Sequence, residues 1–122
     1  MQFRFLAACS AAFALAFAVN AFSHAELKSS VPEKDATVKP APTNVIIEFD
    51  EEVNPKLSLI VVKDAAGDRV DKGDSHLIGG DSKHLGVDLN ALKPGIYQVL
   101  WTSVAADDGH KLTGKFSFTI AP

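Results

Sequence analysis

Apolar and polar residues alternate most cleanly near the end of the chain, where Phe116, Phe118 and Ile120 are separated by Ser117 and Thr119. A period of two marks a strand with one buried face, so the pattern predicts a strand over 112–120 (LTGKFSFTI). The longest apolar strand is predicted over 96–104 (IYQVLWTSV), with Tyr97, Val99 and Trp101 on one face and Ile96 and Leu100 on the other. Shorter strands are predicted over 27–31, ended by Pro32, over 45–49 (VIIEF), over 57–63 (LSLIVVK) and over 85–89, with a weak one at 69–71. Residues 73–86 carry Gly73, Gly79, Gly80 and Gly86 among polar residues, and the expectation there is irregular chain with at most short edge strands.

Turn signals separate these runs. They are the Pro40 and Pro42 connection, the acidic turn from Asp50 to Pro55, Asp64-Ala65-Ala66-Gly67-Asp68, and Leu92-Lys93-Pro94-Gly95. No segment shows a helical period. About seven strands with regular turns predict an all-β domain, a Greek-key sandwich or barrel of cupredoxin or Ig-like type. Tyr97, just after Pro94-Gly95, is placed as a tyrosine corner would be; plain core packing is the competing role for both Tyr97 and Trp101.

Residues 1–23 lack this alternation. Arg4 is their single charge, 5–19 is a continuous apolar run, and Ala21-Phe22-Ser23 offers small residues at the −3 and −1 positions. This is the pattern of a secretory signal cleaved after Ser23. The run is short for a membrane span of about 20 residues, and no basic cluster follows it, so an uncleaved anchor is the weaker alternative. Leu6-Ala7-Ala8-Cys9 resembles a lipoprotein box but has almost no hydrophobic core before it. The expected organisation is a signal peptide over 1–23 and one β domain over 24–122.

The composition narrows the chemistry. The chain of 122 residues carries 12 Lys and Arg against 15 Asp and Glu, a net charge of −3, and loss of Arg4 makes it one charge more negative. Phosphate binding needs a basic face, so nucleic acid is disfavoured as a partner. The single Cys (Cys9) and single Met (Met1) both lie in the expected leader. The mature chain then has no sulfur, which excludes disulfides, Cys-based zinc sites, thiol nucleophiles and soft sites for reduced copper. Metal chemistry falls to histidine, carboxylate and terminal nitrogen.

Cleavage after Ser23 does more than shorten the chain, because it makes His24 the first residue. Its α-amine and its own Nδ1 can close a six-membered chelate on one metal. Asp108-Gly109-His110 supplies a histidine and a carboxylate two residues apart in the turn between the two strongest strands, although Asp-Gly is also an ordinary turn signal. Three nitrogens with one carboxylate suit Cu(II), with zinc as the main competitor. The amine and imidazoles must lose protons to bind, so affinity should weaken below about pH 6. His76 and His84 are either a secondary site or two solvated loop histidines, and Asp107 is read as solvated.

Taken together, His24-Ala25-Glu26-Leu27 with Ser29-Ser30-Val31-Pro32, Ile47-Glu48-Phe49-Asp50-Glu51, Leu92-Lys93-Pro94-Gly95-Ile96-Tyr97-Gln98-Val99-Leu100-Trp101, and Asp108-Gly109-His110-Lys111 with Gly114-Lys115-Phe116-Ser117-Phe118 resemble the CopC family of periplasmic copper-resistance proteins, YobA-like members included. The likeness covers essentially all of 24–120. It implies a periplasmic, monomeric cupredoxin-like protein with one Cu(II) site built from His24, Asp108 and His110. Glu51 is a weaker fourth candidate, from its Phe49-Asp50-Glu51 context. Some members carry a Met-rich Cu(I) site in the middle of the chain; residues 63–90 here contain no Met, and no thioether site is expected.

Three functions follow for comparison. The first is a copper carrier without catalysis, acting in copper homeostasis or resistance and delivering to a CopD-like inner-membrane transporter, as the resemblance implies. The second is an oxidoreductase built on a histidine brace, disfavoured because the aromatics sit on a predicted core strand. The third is a metal-free Ig-like interaction module.

Overall fold

The two segments with the strongest alternation form the longest ladder in the molecule. The structure is a computed structural model that describes residues 27–122, so the expected leader, the cut after Ser23 and His24 lie outside the described residues. Eight strands occur in chain order: β1 (Leu27–Val31), β2 (Thr37–Val38), β3 (Asn44–Phe49), β4 (Leu59–Lys63), β5 (His76–Ile78), β6 (Asp81–Asp88), β7 (Gly95–Val104) and β8 (Lys111–Ile120). They build two four-stranded sheets, ordered β1-β3-β6-β5 and β2-β8-β7-β4. The all-β expectation holds, with eight strands in place of about seven.

β7 and β8 pair antiparallel without a register break, from Gly95 opposite Ile120 to Val104 opposite Lys111. Val45, Ile47, Phe49, Ile60, Val62, Leu85, Val87, Val99, Phe116, Phe118 and Ile120 meet between the sheets and are buried. Tyr97 fills both roles considered for it. Its ring stacks on Phe118 at 5.6 Å, and its hydroxyl donates to the Lys93 carbonyl at 2.7 Å, the bond of a tyrosine corner. Trp101 is core as well, edge-on to Phe49 at 5.4 Å and 64°. Its indole packs directly against β8 because Gly114 has no side chain: a Cβ there would stand 2.3 Å from Trp101 Cζ2.

Over 73–86 the sequence expectation holds for the short edge strand β5 and fails where β6 begins. That stretch holds β5 and most of β6, and β6 is an interior strand between β3 and β5. Only Leu85 and Val87 are large buried side chains in it, Gly86 is buried between them, and Asp81 and Lys83 are exposed, so polar residues and glycine mask the alternation. Gly86 reads as a breaker but is a packing residue. Ile78 covers it so closely that a Cβ would lie 2.6 Å from Ile78 Cδ1. The weak strand expected at 69–71 is instead two isolated bridges, Lys63 to Arg69 and Asp71 to Leu89. The two-residue β2, which pairs parallel with Thr119 and Ile120 at the end of β8, had no sequence signal.

β4 ends its sheet, and its outer edge is closed by two side chains and a backbone bond, Val70 N–H to the Val62 carbonyl at 2.8 Å, rather than by another strand. Val62 N–H donates to Asp71 Oδ2 at 2.8 Å and Ile60 N–H to Ser75 Oγ at 3.0 Å. Asp71 also accepts from Gly73 N–H at 2.8 Å and from Arg69 Nε at 2.9 Å. Burial alone would push this carboxyl up; the Arg69 guanidinium and the two N–H groups outweigh it and hold it below the usual carboxylate range.

Two outcomes follow. Gly114→Ala, by driving a methyl into the indole, is expected to cost about 1–3 kcal/mol in chemical denaturation and to shift the Trp101 fluorescence. Asp71→Ala is expected to cost about 1–3 kcal/mol at neutral pH. Because the folded-state carboxyl titrates lower than the unfolded one, that contribution is complete above about pH 4 and fades as pH falls further. Melting curves of parent and variant should therefore converge in acid.

Candidate metal centre

One end of the sandwich gathers four chain segments. β3 runs out into the acidic turn at Asp50, β7 runs out into the turn before β8, β5 returns to β6 through Gly79 and Gly80, and β1 begins there with Leu27 opposite Phe49. A lattice of backbone bonds ties the first two together. Val53 bridges Ala105, Asn54 N–H donates to the Val104 carbonyl at 2.8 Å, and Ala106 N–H donates to the Glu52 carbonyl at 2.9 Å. Buried Ser58 adds a side-chain clasp, its Oγ accepting from Val104 N–H at 3.0 Å.

The turn between β7 and β8 is shaped by Asp108 and Gly109. Asp108 Oδ1 accepts from His110 N–H at 3.0 Å, closing a local turn of the kind Asp favours. Gly109 supplies the left-handed backbone, with φ of 74°. Ala105 N–H then donates to the His110 carbonyl at 2.9 Å, returning the chain to β8.

His110 therefore projects at the sandwich end with a carboxylate on either side. Its Nδ1 lies 2.6 Å from Asp108 Oδ1 and its Nε2 lies 2.9 Å from Glu51 Oε2. The side chains are open to solvent, at 45% exposure for His110, 44% for Glu51 and 65% for Asp108. A neutral imidazole has one N–H and can satisfy one carboxylate, whereas the imidazolium satisfies both. His110 is accordingly raised above the ordinary imidazole range, first by its hydrogen bond to Asp108 and then by the charges of Asp108 and Glu51. The same contacts, led by the His110 backbone N–H, hold Asp108 low.

The structure thus brings together three of the four expected ligands, Glu51, Asp108 and His110. They stand in a line with the ring in the middle rather than around a common point. Among the described residues no three His, Asp or Glu side chains already converge as a ligand set. An ion that binds either ring nitrogen takes the place of a proton and of one present carboxylate contact, so further donors must come from elsewhere.

His76 and His84 do not form a pair. His76 Nδ1 meets the Asp74 carbonyl at 2.6 Å on β5, while His84 on β6 has Asp81 at 2.9 Å and Glu48 at 3.8 Å. Both are strand residues, not the loop histidines expected. Asp107 is exposed, as read, and accepts from Asp108 N–H. What sequence reasoning missed is Ser58, assigned to the strand over 57–63. A single serine before an apolar run carries no sign that it will be buried against Val104.

In the metal-free protein, the His110 imidazole is expected to titrate above about 6.5. Because both carboxylates favour the charged ring, Asp108→Asn and Glu51→Gln should each lower that value, Asp108→Asn the more. Histidine resonances followed by NMR against pH measure it directly.

Comparison with known proteins places this architecture. The CopC domain family model matches residues 27–121. The chain is 37% identical over 103 residues to the copper transport protein CutJ of Bacillus subtilis, covering 83% of this chain but 19% of that protein. It is 30% identical over 102 residues to protein YobA of Escherichia coli, covering 83% of this chain and 82% of YobA. Among solved structures, CopC from Methylosinus trichosporium superposes with a TM-score of 0.74 at 28% identity, over 81% of this chain and 95% of that one. The methionine-rich copper resistance protein PcoC from Escherichia coli gives 0.69 at 31%, over 80% and 99%. A match across nearly the whole sandwich, shared by the strands that carry the end cluster, shows that the chain belongs to the CopC family.

Proposed function

We propose that this protein is exported, cleaved after Ser23, and holds one Cu(II) at the end of the sandwich for copper delivery or resistance, without catalysis. The ligands in this reading are the α-amine and imidazole of His24, His110 and Asp108, with Glu51 the weaker candidate. The observation that carries it is the placement of His110 between two carboxylates at the end from which β1 starts. Leu27 pairs with Phe49, two residues before Glu51. His24 lies three positions before Leu27, a reach of at most about 10 Å, so in this reading the new N-terminus stays at the end of the sandwich that carries Glu51 and His110.

The chemistry is consistent with that assignment. The present line of carboxylate, ring and carboxylate lacks converging donors, and a terminal amine with its own imidazole would supply two nitrogens in fixed cis geometry. Hard nitrogen and oxygen donors suit Cu(II) over Cu(I). PcoC is methionine-rich, whereas the only Met of this chain is Met1, so a thioether site is not part of the proposal. The relation to CutJ, of which a similar domain makes up a minor part, supports a role beside a larger copper transport protein. A CopD-like membrane transporter is the delivery partner proposed.

Titration of the exported, metal-free protein with Cu(II) should saturate at one equivalent. His24→Ala and His110→Ala are each expected to weaken binding by orders of magnitude, and Asp108→Ala by less. A form that keeps residues before His24 has no free amine there; equal affinity in that form would sink the reading. Turnover with ascorbate and peroxide is expected to stay at the level of free copper.

A further inference from the structure

In the sheet that carries β8, much of the margin is closed. β4 is covered by Asp71 and Ser75, and the last residues of β8 by β2. The first half of β8 is different. Asp35 N–H donates to the Ser117 carbonyl at 2.7 Å and Thr119 N–H to the Ala36 carbonyl at 2.8 Å, so odd-numbered residues of β8 direct their backbone groups away from β7. The unbroken register with β7 carries the same parity back to Thr113 and Lys111. Among the described residues no strand lies along that side of 111–115, because β2 reaches only Thr119 and Ile120. The backbone N–H and C=O groups of Lys111, Thr113 and Lys115 form an open edge that begins at the residue after His110.

We propose that this edge is a docking strip for one extended, acidic segment of a copper-receiving protein, which adds as a strand beside β8. The side chains set its chemistry. Lys111, Thr113 and Lys115 are exposed on the outer face, and Leu112 and Gly114 face inward, half-buried, with Leu112 packed on the core. Opposite-charge pairs stabilise neighbouring strands and like charges oppose them. A matching segment of five residues therefore has carboxylates at its first and last positions, facing the two lysines, and apolar side chains at its second and fourth, facing Leu112 and Gly114.

The same lysines turn away a second copy of this chain. Antiparallel pairing of two β8 edges about Thr113 sets Lys111 against Lys115 twice. Edge lysines are a usual guard against such self-association; here they select by charge, while the free backbone supplies the pairing. Only the purpose of the strip rests on the copper reading, since a strand seated there ends beside His110.

The test uses exported, metal-free protein, 15N-labelled, titrated with acetyl-Glu-Val-Thr-Val-Glu-amide and, separately, acetyl-Lys-Val-Thr-Val-Lys-amide. The acidic peptide is expected to shift the amides of Lys111, Thr113 and Lys115 saturably at millimolar concentration, and the basic one to leave them in place. Thr113→Pro removes an edge N–H that makes no bond to β7, so it should weaken peptide binding at least about ten-fold with the β7 and β8 amides otherwise unmoved. Should that variant unfold, Lys111→Glu with Lys115→Glu replaces it and is expected to reverse the peptide preference. Equal response to both peptides, shifts centred elsewhere, no response, or concentration-dependent shifts of the same amides without peptide would each overturn the proposal, the last by showing a second copy as occupant. Copper is absent throughout, so this outcome and that of the copper titration are independent.

Discussion

The seam between the acidic turn and the end of β7 holds the candidate centre together. The bridge from Val53 to Ala105 and the bonds from Asn54 to Val104 and from Ala106 to Glu52 are backbone contacts, so they fix the two arms regardless of side-chain identity. Once they form, Glu51 on one arm and His110 on the other face each other across 2.9 Å. Neither residue is placed by its own burial, because both are about half exposed. Their geometry is borrowed from the sandwich beneath them, where Phe49 and Trp101 pack at the bases of the same two arms.

A solvent-exposed histidine between two carboxylates is a poor source of stability, since exposed ion pairs contribute little. Its interest is chemical. The two carboxylates favour a positive charge at the ring, and that charge is met by a proton when no metal is present. A metal cation and a proton then compete for one place. A cluster open to solvent exchanges an ion more readily than an enclosed one, and this cluster lies at the end of the sandwich where β1 starts.

Much of this was legible in the residues themselves. The alternation at Phe116, Phe118 and Ile120, and at Tyr97, Val99 and Trp101, survives in the structure because each of these strands has one wet face and one dry face. The Asp108-Gly109-His110 turn was legible because Asp and Gly have conformational preferences that act locally. By contrast the first half of β6, before the strand expected over 85–89, was missed, since two core residues among polar neighbours do not show a period. Gly86 was read with the glycines of an irregular stretch and Gly114 carried no signal of its own, yet each makes room for a large side chain, Ile78 or Trp101, arriving from a neighbouring strand.

Local composition settled what kind of side-chain ligand this chain can offer: histidine and carboxylate, with the single Cys and single Met both within residues 1–23. It also settled the strand faces, because a period of two is a property of the backbone and needs no partner to be seen. That Glu51 meets the second ring nitrogen of His110, and that Ser58 is buried to fasten β7, depends on pairings between residues tens of positions apart. Those pairings arise from register across sheets, a relation that no local pattern encodes, and they were decided only when the two sheets closed on a common core.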